Sequence, residues 1–178
     1  MPLRGPVPVK LCKKEDSEVV KLGPTTIYIF EDGSNTDNRI GCMTLELPPG
    51  TSGPPMHWHR FHDECFFVTK GTIRFTTPEG HVDAEEGQLM VVPPRAIHTF
   101  SNPSDTAPAE FFMTSTPGMS LLLSTRGTCA DLTQGITWTT DFRMMGKTVG
   151  EGKKLTREDT EHLMALFGTF PPDVESEP

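Results

Sequence analysis

The stretch His57-Trp58-His59-Arg60-Phe61-His62-Asp63-Glu64 decides how the rest of this chain is read. In a β-strand alternate residues face the same side, so His57 and His59 point together, roughly 6.6 Å apart along the chain. Two imidazoles reaching inward from that spacing can bind one metal ion. Glu64 follows His59 at an odd offset, and a straight strand would turn its carboxylate away. A bend over Arg60–Asp63, just before the apolar run that starts at Glu64, would bring it back to the histidines.

Short strands follow on both sides of this stretch. Arg39–Leu47 ends at Pro48-Pro49-Gly50. Glu64–Thr69 and Thr72–Thr77 flank Lys70-Gly71. Pro78-Glu79-Gly80 turns into His81–Ala84, Gln88–Val92 stops at Pro93-Pro94, and Ala96–Ser101 and Ala109–Thr116 complete the set. Strands of this length with a turn signal every 8–12 residues or so predict an antiparallel sandwich or barrel. Upstream, Gly23-Pro24 separates two further strands, Glu18–Leu22 and Thr25–Phe30. Downstream, Met119–Ser124 and Cys129–Gln134 read as helical turns. The best helix spans residues 155–167. Thr156 is its N-cap, Glu158 and Asp159 are in its first turn, and Leu155, Leu163, Met164, Leu166 and Phe167 form an apolar stripe. Gly168 and Pro171-Pro172 end it. This helix is expected to pack on the barrel exterior or on a partner subunit. The organisation is one domain: an N-terminal arm over 1–38, a barrel core over 39–116 and a C-terminal extension over 117–178.

Composition narrows the function. With 178 residues the chain can bury a core without disulfides. Its 16 Gly and 17 Pro mark many turns and exclude long helices as the dominant element. The net charge of −8, with no basic stretch clear of acids, argues against nucleic acid and anionic membrane surfaces. The four cysteines, Cys12, Cys42, Cys65 and Cys129, show no paired spacing of a zinc ribbon or redox motif. No signal-peptide pattern or membrane-spanning run is visible, so reduced thiols in the cytoplasm are expected. Phe (11) and Met (9) are plentiful and Tyr (1) is nearly absent, as an apolar interior would require.

Two motifs resemble those of the cupin superfamily. The first, G-x5-H-x-H-x3–4-E-x6-G, is matched by His57, His59, Glu64 and Gly71, with its leading glycine one place off at Gly50. The second, G-x5-P-x-G-x2-H-x3-N, is matched by Gly87, Pro93, His98 and Asn102, with Arg95 in place of its second glycine. The resemblance is close over Arg39–Thr116 and loose beyond. It implies an all-β, double-stranded β-helix (a jelly-roll barrel) with a C-terminal helix. It also implies that His57, His59, Glu64 and His98 coordinate one divalent ion inside the barrel. Iron is the first choice, and Mn, Ni, Cu and Zn also suit such a mixed N/O site. Glu64 either ligates permanently or detaches to act as a general base.

Alternation then gives a substrate pocket of Phe66, Val68 and Phe100, with Arg95 near the mouth. The plainer reading of Arg95 is a solvated turn residue, and the alternative is a guanidinium for a substrate carboxylate or phenolate. Glycine often supplies a positive φ at such a turn, whereas Pro93-Pro94 is expected to set a different one. His62 reads first as a surface-loop histidine, with a place beside the metal as the alternative. Trp58 should face away from the cavity. An apolar pocket beside a metal suits an aromatic or polyketide-like molecule. The stretches PPRAIHTFSNP (93–103) and GEGKKLTREDTEHLMALFGTFPP (150–172) are similar to small fungal cupin-domain oxidoreductases of polyketide-type pathways. The resemblance therefore implies a metal-dependent, dioxygenase-like oxidoreductase of secondary-metabolite biosynthesis, using O₂. A non-redox isomerase, dehydratase or cyclase is the alternative, and a small-ligand binding module the third reading. Residues 18–30 offer strands in need of a partner, and a homodimer is expected.

Overall fold

The computed structural model describes residues 6–37, 39–116, 143, 145–147, 156–166 and 168–174. The helical turns expected at Met119–Ser124 and Cys129–Gln134 lie outside the described residues, as do Leu155 and Phe167 of the expected helix. The strands are β1 (Glu18–Leu22), β2 (Thr25–Glu31), β3 (Gly41–Leu47), β4 (Trp58–His59), β5 (Asp63–Lys70), β6 (Thr72–Thr77), β7 (Gly80–Glu85), β8 (Leu89–Val92), β9 (Thr99–Ser101), β10 (Ala109–Thr116) and β11 (Thr169–Phe170). A short 3-10 helix covers Lys14–Asp16, and an α-helix, α1 (Arg157–Leu166), precedes β11. No described helix is long and apolar enough to cross a membrane.

Two sheets face each other. The larger has the order β1-β2-β3-β10-β5-β8, with antiparallel neighbours. The opposite face is formed by β7-β6-β9 and by the β11-β4 pair. Bridges between Ser52 and Ser101, and between His57 and His98, join these two parts. The fold is all-β, as the turn spacing predicts.

Strand alternation explains what lies between the sheets. Along β5, Glu64, Phe66 and Val68 are buried in turn, and along β10 Ala109, Phe111, Met113 and Ser115. A slip of one residue would send these side chains to the other face, so the burial pattern fixes the register. Phe66 packs edge-on against Phe75 and Phe111 with ring centroids 5.2 and 5.4 Å apart. The Lys70-Gly71 turn ends β5, and Gly71 has φ +71°. A side chain there would also meet the Pro108 carbonyl at 3.0 Å, so only glycine fits without strain.

The strands of residues 18–30 pair with each other and β2 pairs with β3, which leaves β1 at the edge of the larger sheet. The helix does more than pack outside the barrel: Thr160 and Met164 of α1 line the internal cavity. Its start follows the sequence reading. Thr156 Oγ1 accepts from the Asp159 backbone N–H at 3.1 Å, and Asp159 Oδ2 accepts from the Thr156 N–H at 3.0 Å, a reciprocal cap. Gly168, at φ +69°, ends the helix and turns the chain into β11.

Candidate metal centre

His57 and His59 project inward from β4 and the residue before it. Strand β4 stops at His59 and β5 starts at Asp63, so the bend expected over Arg60–Asp63 is present and Glu64 re-enters the same space. His98 arrives from the opposite side. Its backbone N–H donates to His57 O at 2.8 Å, and His57 N–H donates to His98 O at 3.0 Å. All four side chains are buried.

The ring nitrogens converge. His57 Nε2 lies 3.1 Å from His59 Nε2. Glu64 Oε2 lies 3.1 Å from both His59 Nε2 and His98 Nε2. His57, His59 and His98 form a buried group that can hold a metal ion, as do His59, His62 and Glu64. The outer nitrogens explain the orientation. His57 Nδ1 is 2.7 Å from Pro55 O, and His98 Nδ1 is 3.0 Å from Ala96 O. A carbonyl can only accept, so each Nδ1 carries the proton and, in the neutral ring, each Nε2 turns a lone pair toward the centre.

The electrostatics favour neutral rings at His57 and His59. Burial, reinforced by His59 and His98, lowers the His57 pKa to about 3. Burial also lowers that of His59, against the pull of Glu64. For Glu64 burial opposes ionisation, but the adjacent His59 outweighs it and the carboxyl sits well below its usual range. Both Glu64 oxygens are buried and have no hydrogen bond among the described residues. Converging lone pairs around an ionised carboxylate repel one another unless a cation lies between them. The donor set therefore fits a bound metal ion.

A cavity of about 230 Å³ adjoins this group. Its lining includes His57, Glu64 and His98, with Ile27, Leu45, Phe66, Phe100 and Met113 from the barrel. Met145, Thr160, Met164 and Thr169 close it from the C-terminal part. Of the residues expected at the pocket, Phe66 and Phe100 line it. Val68 lies in the core away from the cavity, and Arg95 is exposed and also off the lining. Arg95 has φ +71°, so the turn keeps the left-handed conformation of a glycine despite Pro93-Pro94, at a cost of ~1 kcal/mol. Its backbone N–H donates to His59 O at 2.7 Å, so this residue reaches the metal group through its main chain.

His62 is the clearest departure from the sequence reading. It is 1% exposed, its ring centroid is 4.0 Å from that of His59, and its Nε2 is 3.8 Å from Glu64 Oε1. Trp58 does face away from the cavity, and the C-terminal strand covers it: its indole N–H donates to Pro171 O at 3.1 Å and its ring lies 4.9 Å from Phe170. The sequence reading missed Thr169, Met145, Thr160 and Ile27 as lining residues. A two-residue strand such as β11 carries no usable alternation signal.

Comparison with known proteins agrees with this architecture. A family profile described as the cupin domain matches residues 43–115, the span from β3 to β10 that carries all four inward ligand-type side chains. The barrel has the cupin fold. Among solved structures, this chain resembles a sugar phosphate isomerase of the cupin superfamily from Silicibacter pomeroyi (21% identity, TM-score 0.54, covering 60% of this chain and 75% of that one). It also resembles the polyketide cyclase RemF from Streptomyces resistomycificus (17% identity, TM-score 0.54, covering 61% and 80%). A third is a predicted oxalate decarboxylase from Thermotoga maritima (16% identity, TM-score 0.54, covering 60% and 98%). At these identities the likeness is one of fold. No curated protein matches the sequence.

Proposed function

We propose that this protein is a metal-dependent enzyme of the cupin superfamily in which His57, His59, Glu64 and His98 bind one divalent ion beside a pocket for an apolar, aromatic or polyketide-like small molecule. The observation that carries the reading is the convergence of imidazole lone pairs on a buried carboxylate that has no hydrogen bond among the described residues. Separations of 3.1 Å bring these donor atoms close enough to share one ion. Three imidazoles and one carboxylate suit iron, manganese, nickel, copper or zinc, and iron is the metal we propose. Such an ion would polarise a substrate oxygen and, as iron, activate O₂.

Oxidative chemistry is the reading we favour. Among the described cavity-lining residues the titratable side chains are His57, Glu64 and His98. With these committed to the ion, the apolar walls orient the substrate and exclude water, and no separate acid or base remains among the described lining residues. A dioxygenase-like reaction, in which O₂ is both the oxidant and the source of the added oxygen atoms, needs no further reductant. The resemblance to fungal polyketide-pathway oxidoreductases supports the same substrate class. The second reading is non-redox isomerase, dehydratase or cyclase chemistry. It is supported by the ionised state of Glu64, which lines the cavity and would serve as base if it left the ion.

Metal analysis, followed by turnover of apolar phenols and polyketide-like enols with and without O₂, tests the proposal. Substrate-dependent O₂ consumption by the iron-loaded protein is expected. Turnover without O₂ would overturn the oxidative reading in favour of the second. Tight ligand binding with no turnover would mark a binding module.

A further inference from the structure

Two of the three converging imidazoles are held by the chain just before them. His57 Nδ1 meets Pro55 O and His98 Nδ1 meets Ala96 O, in each case the carbonyl two residues back. For His59 the equivalent carbonyl is His57 O, and that group accepts the His98 N–H in the bridge between β4 and β9. His59 Nδ1 lies instead 2.8 Å from Thr169 Oγ1, a residue 110 positions further along. Both side chains are buried, and Thr169 is paired with His59 in the β4–β11 register.

The strand that brings Thr169 there is fastened on both sides. Gly168 O accepts the Arg60 N–H at 2.9 Å, and Pro171 O accepts the Trp58 indole N–H at 3.1 Å. Thr169 also lines the cavity, as do Thr160 and Met164 of the preceding helix.

We propose that Thr169 is a positioning residue for His59 and makes the C-terminal segment a working part of the metal site. With an ion held at Nε2, Nδ1 carries the ring proton, and the Thr169 hydroxyl oxygen would accept it and hold the ring's orientation. Because the same strand closes the cavity, seating of the C-terminal segment and readiness of His59 to ligate are one event. The inference rests on the metal-site reading above.

The test is the affinity of purified full-length protein for Fe(II) and Mn(II), measured anaerobically by competition with a chromophoric chelator. Thr169→Val keeps the side-chain shape and removes the hydroxyl; Thr169→Ser keeps the hydroxyl and removes the methyl. Loss of such an outer hydrogen-bond partner typically weakens metal binding by about 10–100-fold. That loss is expected for Thr169→Val, and for Thr169→Ala should the valine variant fail to fold, with Thr169→Ser within a few-fold of wild type. A purely structural role predicts the reverse order for valine and serine. Wild-type binding matched by Thr169→Val and Thr169→Ala would overturn this inference alone. Wild-type protein that binds none of Fe(II), Mn(II), Ni(II), Cu(II) and Zn(II) in the same assay would overturn the metal-site reading and this inference with it.

Discussion

His57 and His98, 41 positions apart in the chain, exchange a pair of backbone hydrogen bonds of 2.8 and 3.0 Å, and this places their rings 4.5 Å apart. The pairing uses main-chain atoms alone, so it does not depend on either imidazole. His57→Ala and His98→Ala should therefore keep the sheet signal in circular dichroism while metal affinity falls by more than about tenfold. Metal content of the purified variants checks this. A folded His98→Ala protein with full metal occupancy would show that the ligand assignment is wrong.

Asn102 stands behind the same strand as His98 and holds three carbonyls. Its Nδ2 donates to Leu47 O and Pro48 O at 3.1 Å and to Ala107 O at 2.9 Å, while its Oδ1 accepts the Ser104 N–H at 3.0 Å. The side chain is 2% exposed, so water cannot readily replace it. Asn102→Ala leaves these groups unpaired and should cost about 2–3 kcal/mol. For a chain of this size that lowers the thermal midpoint by roughly 4–12 °C. Asn102→Asp should be worse, since a carboxylate cannot donate and would face carbonyl oxygens. Differential scanning calorimetry reads both, and an Asn102→Ala midpoint equal to wild type would refute the role.

How far the site could be read from sequence depends on the range of each contact. The convergence of His57, His59 and Glu64 follows from strand periodicity and one bend, both encoded within eight residues. The His98 turn is marked by Gly87 and Pro93, although the left-handed residue there is Arg95, which side-chain type would not suggest. Thr169 was invisible because it reaches the cavity from beyond the barrel segment, through a two-residue strand too short to show a period, and the apolar stripe that holds Met164 does not say what that stripe packs against. His62 was misread for a related reason. A histidine in a three-residue connector reads as solvated, and its burial became evident only in the fold.

Acid should destabilise the metal-free protein earlier than an ordinary acidic domain. His57 titrates near 6.5 when unfolded and at about 3 when folded, because burial and the neighbouring imidazoles disfavour its charge. Between those values the unfolded chain binds the extra proton, so stability is fully present above about pH 6.5 and falls as the pH drops toward 3. The slope is roughly 1.4 kcal/mol per pH unit for each such group. His59, lowered in the same direction, steepens the loss. Glu64, held below its usual 4.5, adds a further loss once the unfolded carboxyl begins to protonate. Urea unfolding of chelator-treated protein should therefore give a stability that is level above pH 7 and declines from about pH 6.5. His57→Gln removes one titrating group, and its stability should fall less steeply between pH 6 and 4, by about 1.4 kcal/mol per unit. Identical slopes for the two proteins would mean that His57 is not the neutral, buried ring that the metal-site geometry requires.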